Sequence, residues 1–313
     1  MLGKAKKITL GIAIYSLFAV AGMLFFACKK QPPSVWYVEA GLEDTWARIL
    51  RAAEPPEAFA EIRVWDNGEI PDGPGILIAT NLWKTEERAK VYYRLSWDLE
   101  YQDAIVLALD PWMIFRKHMN PALSFNRVMS GTGGSGLLLI PGRDIEAVRA
   151  WTGRFIQEEP GRFPSNEVWQ EWEQTLFSRN LFNQNMQGFD WHAVLFRLMG
   201  NEPAWLYAPL STIRRYRDPH KSILEATPFP ERGGQSSLQV NLLWALPLKS
   251  NFAKSNTEIE NTIAWLKRPD IQTIIADTLE WIPADPYGTP YDPVSLTSHR
   301  VWLTTPWIYT LNK

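Results

Sequence analysis

Apolar and polar positions alternate with two different periods along this chain. Residues 35–38 (VWYV), 61–65 (EIRVW), 75–79 (GILIA) and 104–109 (AIVLAL) are short and rich in Val, Ile and Leu, and predict strands. The almost wholly apolar 75–79 and 104–109 fit strands buried on both faces, as in a parallel sheet. Between the first two lies a helical period. Leu42, Trp46, Ile49 and Leu50 share one face of a helix over 42–53, with Glu43 and Asp44 in its first turn and EPPE at its end. Asn67-Gly68 marks a turn. Residues 85–94 predict a helix with Thr85 as its cap.

The alternation continues. LLLIPG (137–142) predicts a strand and 144–157 its helix. Ser165 caps a helix carrying Val168, Trp169, Trp172 and Leu176, and Asp190 caps one that turns Val194, Leu195 and Leu198 inward and stops at Gly200. AWLYA (204–208) and LQVNLLWALPL (238–248) predict strands. Ser255 to Glu258 form a capping box before Ile259, Ile263 and Leu266. Pro269 opens a helix with Ile271, Ile274, Ile275 and Leu279 inward, and 282–313 is expected to be partly extended. Strands alternating with helices predict an α/β fold with mixed, mainly parallel sheets flanked by helices.

The N-terminus adds an address. Lys4, Lys6 and Lys7 precede residues 8–27, which carry no charge, and Cys28, the only cysteine, closes that run. A basic start before an apolar segment is an export signal, and 20 apolar residues are also enough to span a bilayer. Ala27-Cys28 is similar to the lipobox of bacterial lipoproteins, with Phe25-Phe26 departing from its usual residues. That resemblance implies cleavage before Cys28, lipidation of Cys28 with diacylglycerol and an acyl chain such as palmitate, and a lipid-anchored linker over 28–34. An uncleaved anchor and a buried core cysteine are the alternatives. The remaining 286 residues carry 29 basic and 34 acidic side chains, a net charge of −5, with no basic excess for nucleic acid.

Searches for catalytic motifs are unproductive. GTGGSG (131–136) has the letters of a dinucleotide fingerprint but precedes a strand instead of following one, so it reads as a turn. His118, His192, His220 and His299 have no metal-binding spacing, and no G-x-S-x-G is present. No cofactor, no metal and no catalytic residue is expected. An extracytoplasmic hydrolase built on two distant carboxylates stays as a minor alternative.

One succession of motifs is informative. GFDWHAVLFRLMGNEPAWLYAP (188–209) is a helix, a Gly stop and a strand, followed by the loop PFPERGG (228–234). Then come LLWALPLKSN (242–251), two helices over 256–279 that include Ile263-Ala264-Trp265-Leu266 and Arg268-Pro269-Asp270-Ile271-Gln272, and Glu280-Trp281-Ile282-Pro283-Ala284. Upstream stands AIVLALDPWMIFRKHM (104–119). This order resembles the extracellular solute-binding proteins of ABC importers, the maltose-binding-like group, in lipoprotein form. Ala208-Pro209-Leu210 stands where that group has Gly-Pro-Trp, so one sugar-stacking Trp is absent.

The resemblance implies two lobes of the type II periplasmic-binding fold: residues 35–117 with about 245–283, and 118–244 with about 284–313. It implies a monomer that closes on a small polar ligand, a saccharide among the candidates, and delivers it to an importer permease. It implies an extracytoplasmic protein that is not an enzyme. Ligands of such folds sit at strand ends. The candidate ligand residues are therefore Trp36, Glu39, Trp65, Asp66, Trp83, Asp110, Trp112, Tyr207, Trp244 and Trp281. A binding fold that has lost its ligand and serves as a receptor or interaction lipoprotein is the second reading, and a cleft filled by its own Trp and Phe would mark it.

Overall fold

The structure is a computed structural model that describes residues 34–56, 61–66, 68–80, 100–101, 104–129, 137–154, 174, 187–216, 223–249, 253–305 and 307–310. Cys28, the expected helices over 85–94 and 165–176, and the 131–136 turn lie outside the described residues.

The chain opens with β1 (Val35–Glu39), α1 (Glu43–Ala53), β2 (Glu61–Trp65) and β3 (Gly75–Ala79). Glu54 ends α1 in the left-handed region at φ 45°, ahead of Pro55-Pro56. Gly75 is required where β3 meets β1, because a Cβ there would lie 2.2 Å from the Val35 carbonyl oxygen. β4 (Glu100–Tyr101) and the 14-residue β5 (Ala104–Lys117) follow. Next come α2 (Phe125–Met129), β6 (Leu137–Leu139), α3 (Ile145–Gly153), α4 (Trp191–Met199), β7 (Ala204–Pro209) and α5 (Leu210–Arg215). The last part holds β8 (Leu224–Thr227), β9 (Phe229–Pro230), the 13-residue β10 (Ser236–Leu248), α6 (Ala253–Leu266), α7 (Pro269–Leu279), β11 (Ile282–Pro283), α8 (Pro293–Thr304) and β12 (Trp307–Thr310).

The strands form one path, β2-β1-β3-β10-β5-β7-β6, with β4, β8 and β11 added on β5 and β9 and β12 on β10. Parallel pairing joins β1 to β2 and β3, β6 to β7, and β10 to β12. The two long strands pair antiparallel with each other and with β3, β7 and β8. The expected parallel character thus belongs to the outer strands of each half, and the middle is antiparallel.

β5 and β10 belong to both halves. Residues 104–110 of β5 pair with β4, β10 and β11, whereas 112–117 pair with β7 and β8. Pro111, which has no N–H to give a ladder, falls at the change of partners. β10 pairs with β9 and β12 over 236–240 and with β3 over 244–248, and its register on β5 shifts between Leu243 and Trp244. The first long strand runs past the apolar 104–109 stretch. It continues to Lys117 because residues 112–115 are as buried as 104–109.

Strand alternation divides the core. Trp36, Val38, Ile76, Ile78, Ile105 and Leu107 pack against Trp46 and Ile49 of α1, Ile259, Trp265 and Leu266 of α6, and Ile271, Ile275 and Leu279 of α7. Val35, Tyr37, Leu77, Ala79 and Val106 face the other way, into a larger cluster running through the second half. One expectation needs correction. The capping box at Ser255 is not a helix start, since α6 begins at Ala253 and buries Ser255 in its first turn. Residues 282–313 are partly extended as expected, at β11 and β12, and α8, which was not expected, lies between them. The α8 N-cap Asp292 accepts from Ser295 N at 3.0 Å and Pro293 opens its first turn.

Trp36 and Trp46 meet edge to face at 5.3 Å, joining β1 to α1. Trp36→Ala is expected to lower the unfolding free energy by about 3–5 kcal/mol in a urea titration. A loss below about 1 kcal/mol would show that this contact does not hold α1 to the sheet.

Candidate functional site

β1, β2 and β3 run in parallel, so their C-terminal ends lie along one edge. Glu39 pairs with Trp65, and Ala79 of β3 is opposite Trp244 of β10. Glu39 is buried there, and both the backbone N–H and the hydroxyl of Thr80 donate to its Oε2, at 2.5 and 2.6 Å. Trp65 is buried and its indole N–H donates to the Glu69 carbonyl at 3.0 Å. Asp66 is exposed and accepts from Gly68 N at 3.1 Å, closing a local turn.

Asp110 sits on β5 opposite Asn241 of β10, where the long strands pass between the halves. It is 4% exposed. Ser211, near the start of α5, donates to it twice, from its backbone N–H at 2.9 Å and from its hydroxyl at 2.7 Å. Burial pushes the Asp110 pKa up to about 6, against the opposing pull of the Ser211 hydrogen bonds, the Arg215 charge and the Asn241 side chain.

Beyond Pro111 the edge becomes aromatic. Trp112 lies 5.5 Å from the Tyr207 ring and 6.4 Å from that of Trp191. Tyr207 is fully buried and donates to Gln239 Oε1 at 2.6 Å, and burial raises its pKa. Trp151 and Phe229 pack edge-on against it at 5.7 and 5.8 Å. Trp191 is half-buried, and its indole N–H donates to Asp144 Oδ2 at 2.6 Å. The other oxygen of Asp144 caps α3 by accepting from Ala147 N at 2.9 Å.

The candidates therefore divide. Glu39, Trp65 and Trp244 share the first-half strand ends, and Asp110, Trp112 and Tyr207 share the crossing. Asp110 and Trp112 are inside a strand rather than after one. Trp36 and Trp281 are placed in the helix-side core instead. Trp36 and Glu39 are an odd number of residues apart, so the pleat turns them to opposite faces. Trp83 and Cys28 lie outside the described residues. Sequence reasoning missed Thr80, Asp144, Trp191, Ser211, Gln239 and Asn241. The only signals were two helix-cap aspartates, Asp144 and Asp190, with Trp191 next to the second. Among the described residues no group of three or more His, Cys, Asp or Glu is placed to hold a metal.

No protein-family model and no curated protein matches the sequence. Solved structures match across most of the chain. Apo RafE from Streptococcus pneumoniae is 11% identical and aligns over 90% of this chain and 89% of its own, with a TM-score of 0.57. The cyclic alpha-maltosyl-1,6-maltose binding protein of Arthrobacter globiformis is 10% identical over 90% and 88%, at 0.52. A sugar transporter of Bacillus licheniformis in complex with stachyose is 13% identical over 88% of each chain, at 0.51. The fold is that of the two-lobed extracellular solute-binding proteins. β5 and β10 are the strands that pair with both halves of this sheet, and Asp110 is buried where they meet.

The native Asp110 carboxyl titrates at about 6, above its ordinary 3.8. Between these values the folded state binds the extra proton. The contribution to stability is therefore fully present below about pH 4 and lost as pH rises through 6. Asp110→Asn is neutral throughout. It is expected to be more stable than the parent by about 1–3 kcal/mol above pH 7, with the gain fading toward pH 4. Thermal unfolding across that range checks it, and a difference independent of pH would contradict it.

Proposed function

We propose that this chain is an extracytoplasmic solute-binding protein that presents a small polar ligand, of the saccharide class, to an ABC importer permease. The fold carries this reading: a cyclic alpha-maltosyl-1,6-maltose binding protein and a sugar transporter in complex with stachyose align over about nine-tenths of the chain. In this reading residues 1–27 are removed, Cys28 carries the lipid anchor, and the protein works as a monomer tethered to the membrane. Among the described residues no helix is long and apolar enough to cross a membrane. The lobes are taken as 35–117 with about 245–283 and 118–244 with about 284–313, and the exchange of strand partners at Pro111 supports a crossover in the first long strand.

The ligand would meet the strand-end row of Glu39, Trp65, Asp66 and Trp244 on one side. On the other it would meet Asp110, Trp112 and Tyr207, with Trp191 as the more accessible aromatic face. Indole faces stack on sugar rings and carboxylates accept from hydroxyls, so binding needs no catalytic group. A second reading is favoured by one observation. Trp65, Trp112, Tyr207 and Trp244 are each no more than 6% exposed, buried among the protein's own side chains. A receptor or interaction lipoprotein that kept the fold without the ligand would look the same there.

A panel of oligosaccharides, stachyose included, separates the two readings by thermal unfolding and Trp fluorescence. A ligand at 100 times its Kd is expected to add about 2.7 kcal/mol of stability. Trp191→Ala is expected to weaken that ligand about tenfold, read as the ligand-induced shift relative to the variant's own unligated stability. No shift across the panel would favour the receptor reading.

A further inference from the structure

α5 occupies an unusual position. It follows β7 directly and so belongs to the second half, yet its two arginines reach the end of α7, which packs in the helix-side core of the first half. Arg214 is only 12% exposed and uses all of its guanidinium. Nη2 pairs with Asp277 of α7 at 2.5 Å, Nη1 donates to the Trp281 carbonyl at 3.1 Å, and Nε pairs with Asp292 at 3.0 Å. Asp292 is the N-cap of α8, which packs on β8. Arg215 pairs with Glu280 at 2.5 Å, and Glu280 is the left-handed C-cap of α7 at φ 64°. The other end of α5 is held by Asp110 through Ser211.

Two passages between the halves thus meet on one six-residue helix, and the β10 passage reaches it through Asp110. The β5 passage touches it through Asp110 and the 281–292 passage through Trp281 and Asp292, while Asn241 of the β10 passage meets Asp110. The two crossing strands carry irregularities close by, Pro111 on β5 and the register shift at Leu243/Trp244 on β10. Such positions absorb the backbone rotation of a hinge. An isolated exposed ion pair would add little, but Arg214 is mostly buried and shared among three acceptors, which makes the network rigid.

The geometry points to α5 as the stop of the hinge: Arg214 and Arg215, latched to Asp277, Trp281, Glu280 and Asp292, fix the resting angle between the lobes. This rests on reading the two lobes as moving parts of a binding protein. Ligand affinity then depends on the latch, because the share of molecules in the binding-competent angle scales the apparent Kd.

The test needs no ligand, so a failed ligand screen leaves it intact. In the full chain carrying Cys28→Ser, spin labels at Arg51→Cys on α1 and Arg149→Cys on α3 report the distance between lobes; both positions are exposed. Arg214→Ala/Arg215→Ala is expected to broaden and shift the pulsed-EPR distance distribution by on the order of 5 Å. Arg215→Glu is expected to do so in part, and adding Glu280→Arg is expected to restore the parent distribution. The Arg215 position is 67% exposed, so this pair decides the matter should the double variant not fold. An unchanged distribution in folded Arg215→Glu, or no recovery with Glu280→Arg, overturns the latch.

Discussion

The pairing of β5 with β10 is the constraint on which the rest depends. Each strand is long enough to serve two halves, and they run antiparallel through the middle of the sheet. β3 and its parallel neighbours attach to one end of β10, and β7 with β6 attaches to the far end of β5. An outer element reaches the rest of the protein through these two strands. The helix-side core of the first half rests on one face of the same ladder, through Ile105, Leu107, Leu243 and Ala245. The larger cluster rests on the other, through Val106, Trp244 and Leu246 and on into the second half.

That shared ladder makes the crossing a costly place for charge and a useful one for control. Asp110 is buried there against Ser211 and Asn241, and burial raises its pKa by more than those partners lower it. The hydrogen bonds also place α5 at the junction. From there Arg214 reaches acceptors in both halves. Stability, lobe geometry and the position of the strand-end residues are thus linked through one short helix. The rings of Trp191, Trp112, Tyr207 and Trp151 pack in a column in the second half, and of these only Trp191 is partly exposed.

Much of the architecture was legible in the residues. Unbroken apolar runs identified β1 and β3, and Asp190 with Gly200 bracketed α4. Pro269 and the Ile spacing identified α7. α8 was missed because its buried face carries Ser295, Ser298 and His299, which erases the apolar period, although Asp292-Pro293 is a helix start. The apolar run marked β5 only over 104–109, and its continuation through Pro111 depends on the change of strand partners there. The site was less legible than the fold. Asp110 and Ser211 are 101 residues apart in the chain, and nothing local links them. Trp36 looked like a strand-end residue, yet its parity with Glu39 already turned it toward α1. Strand-end position pointed several Trp residues at a ligand, whereas burial spends most of those rings on the core.

Native-state hydrogen exchange tests the central claim, that one ladder unites both lobes. Backbone amides of β5 on both sides of Pro111, and of β10 on both sides of Leu243, are expected to exchange only through global unfolding, with the same free energy in the two halves. Two separate plateaus, with the 104–110 half of β5 opening at a different free energy from the 112–117 half, would contradict it and make the lobes independent folding units.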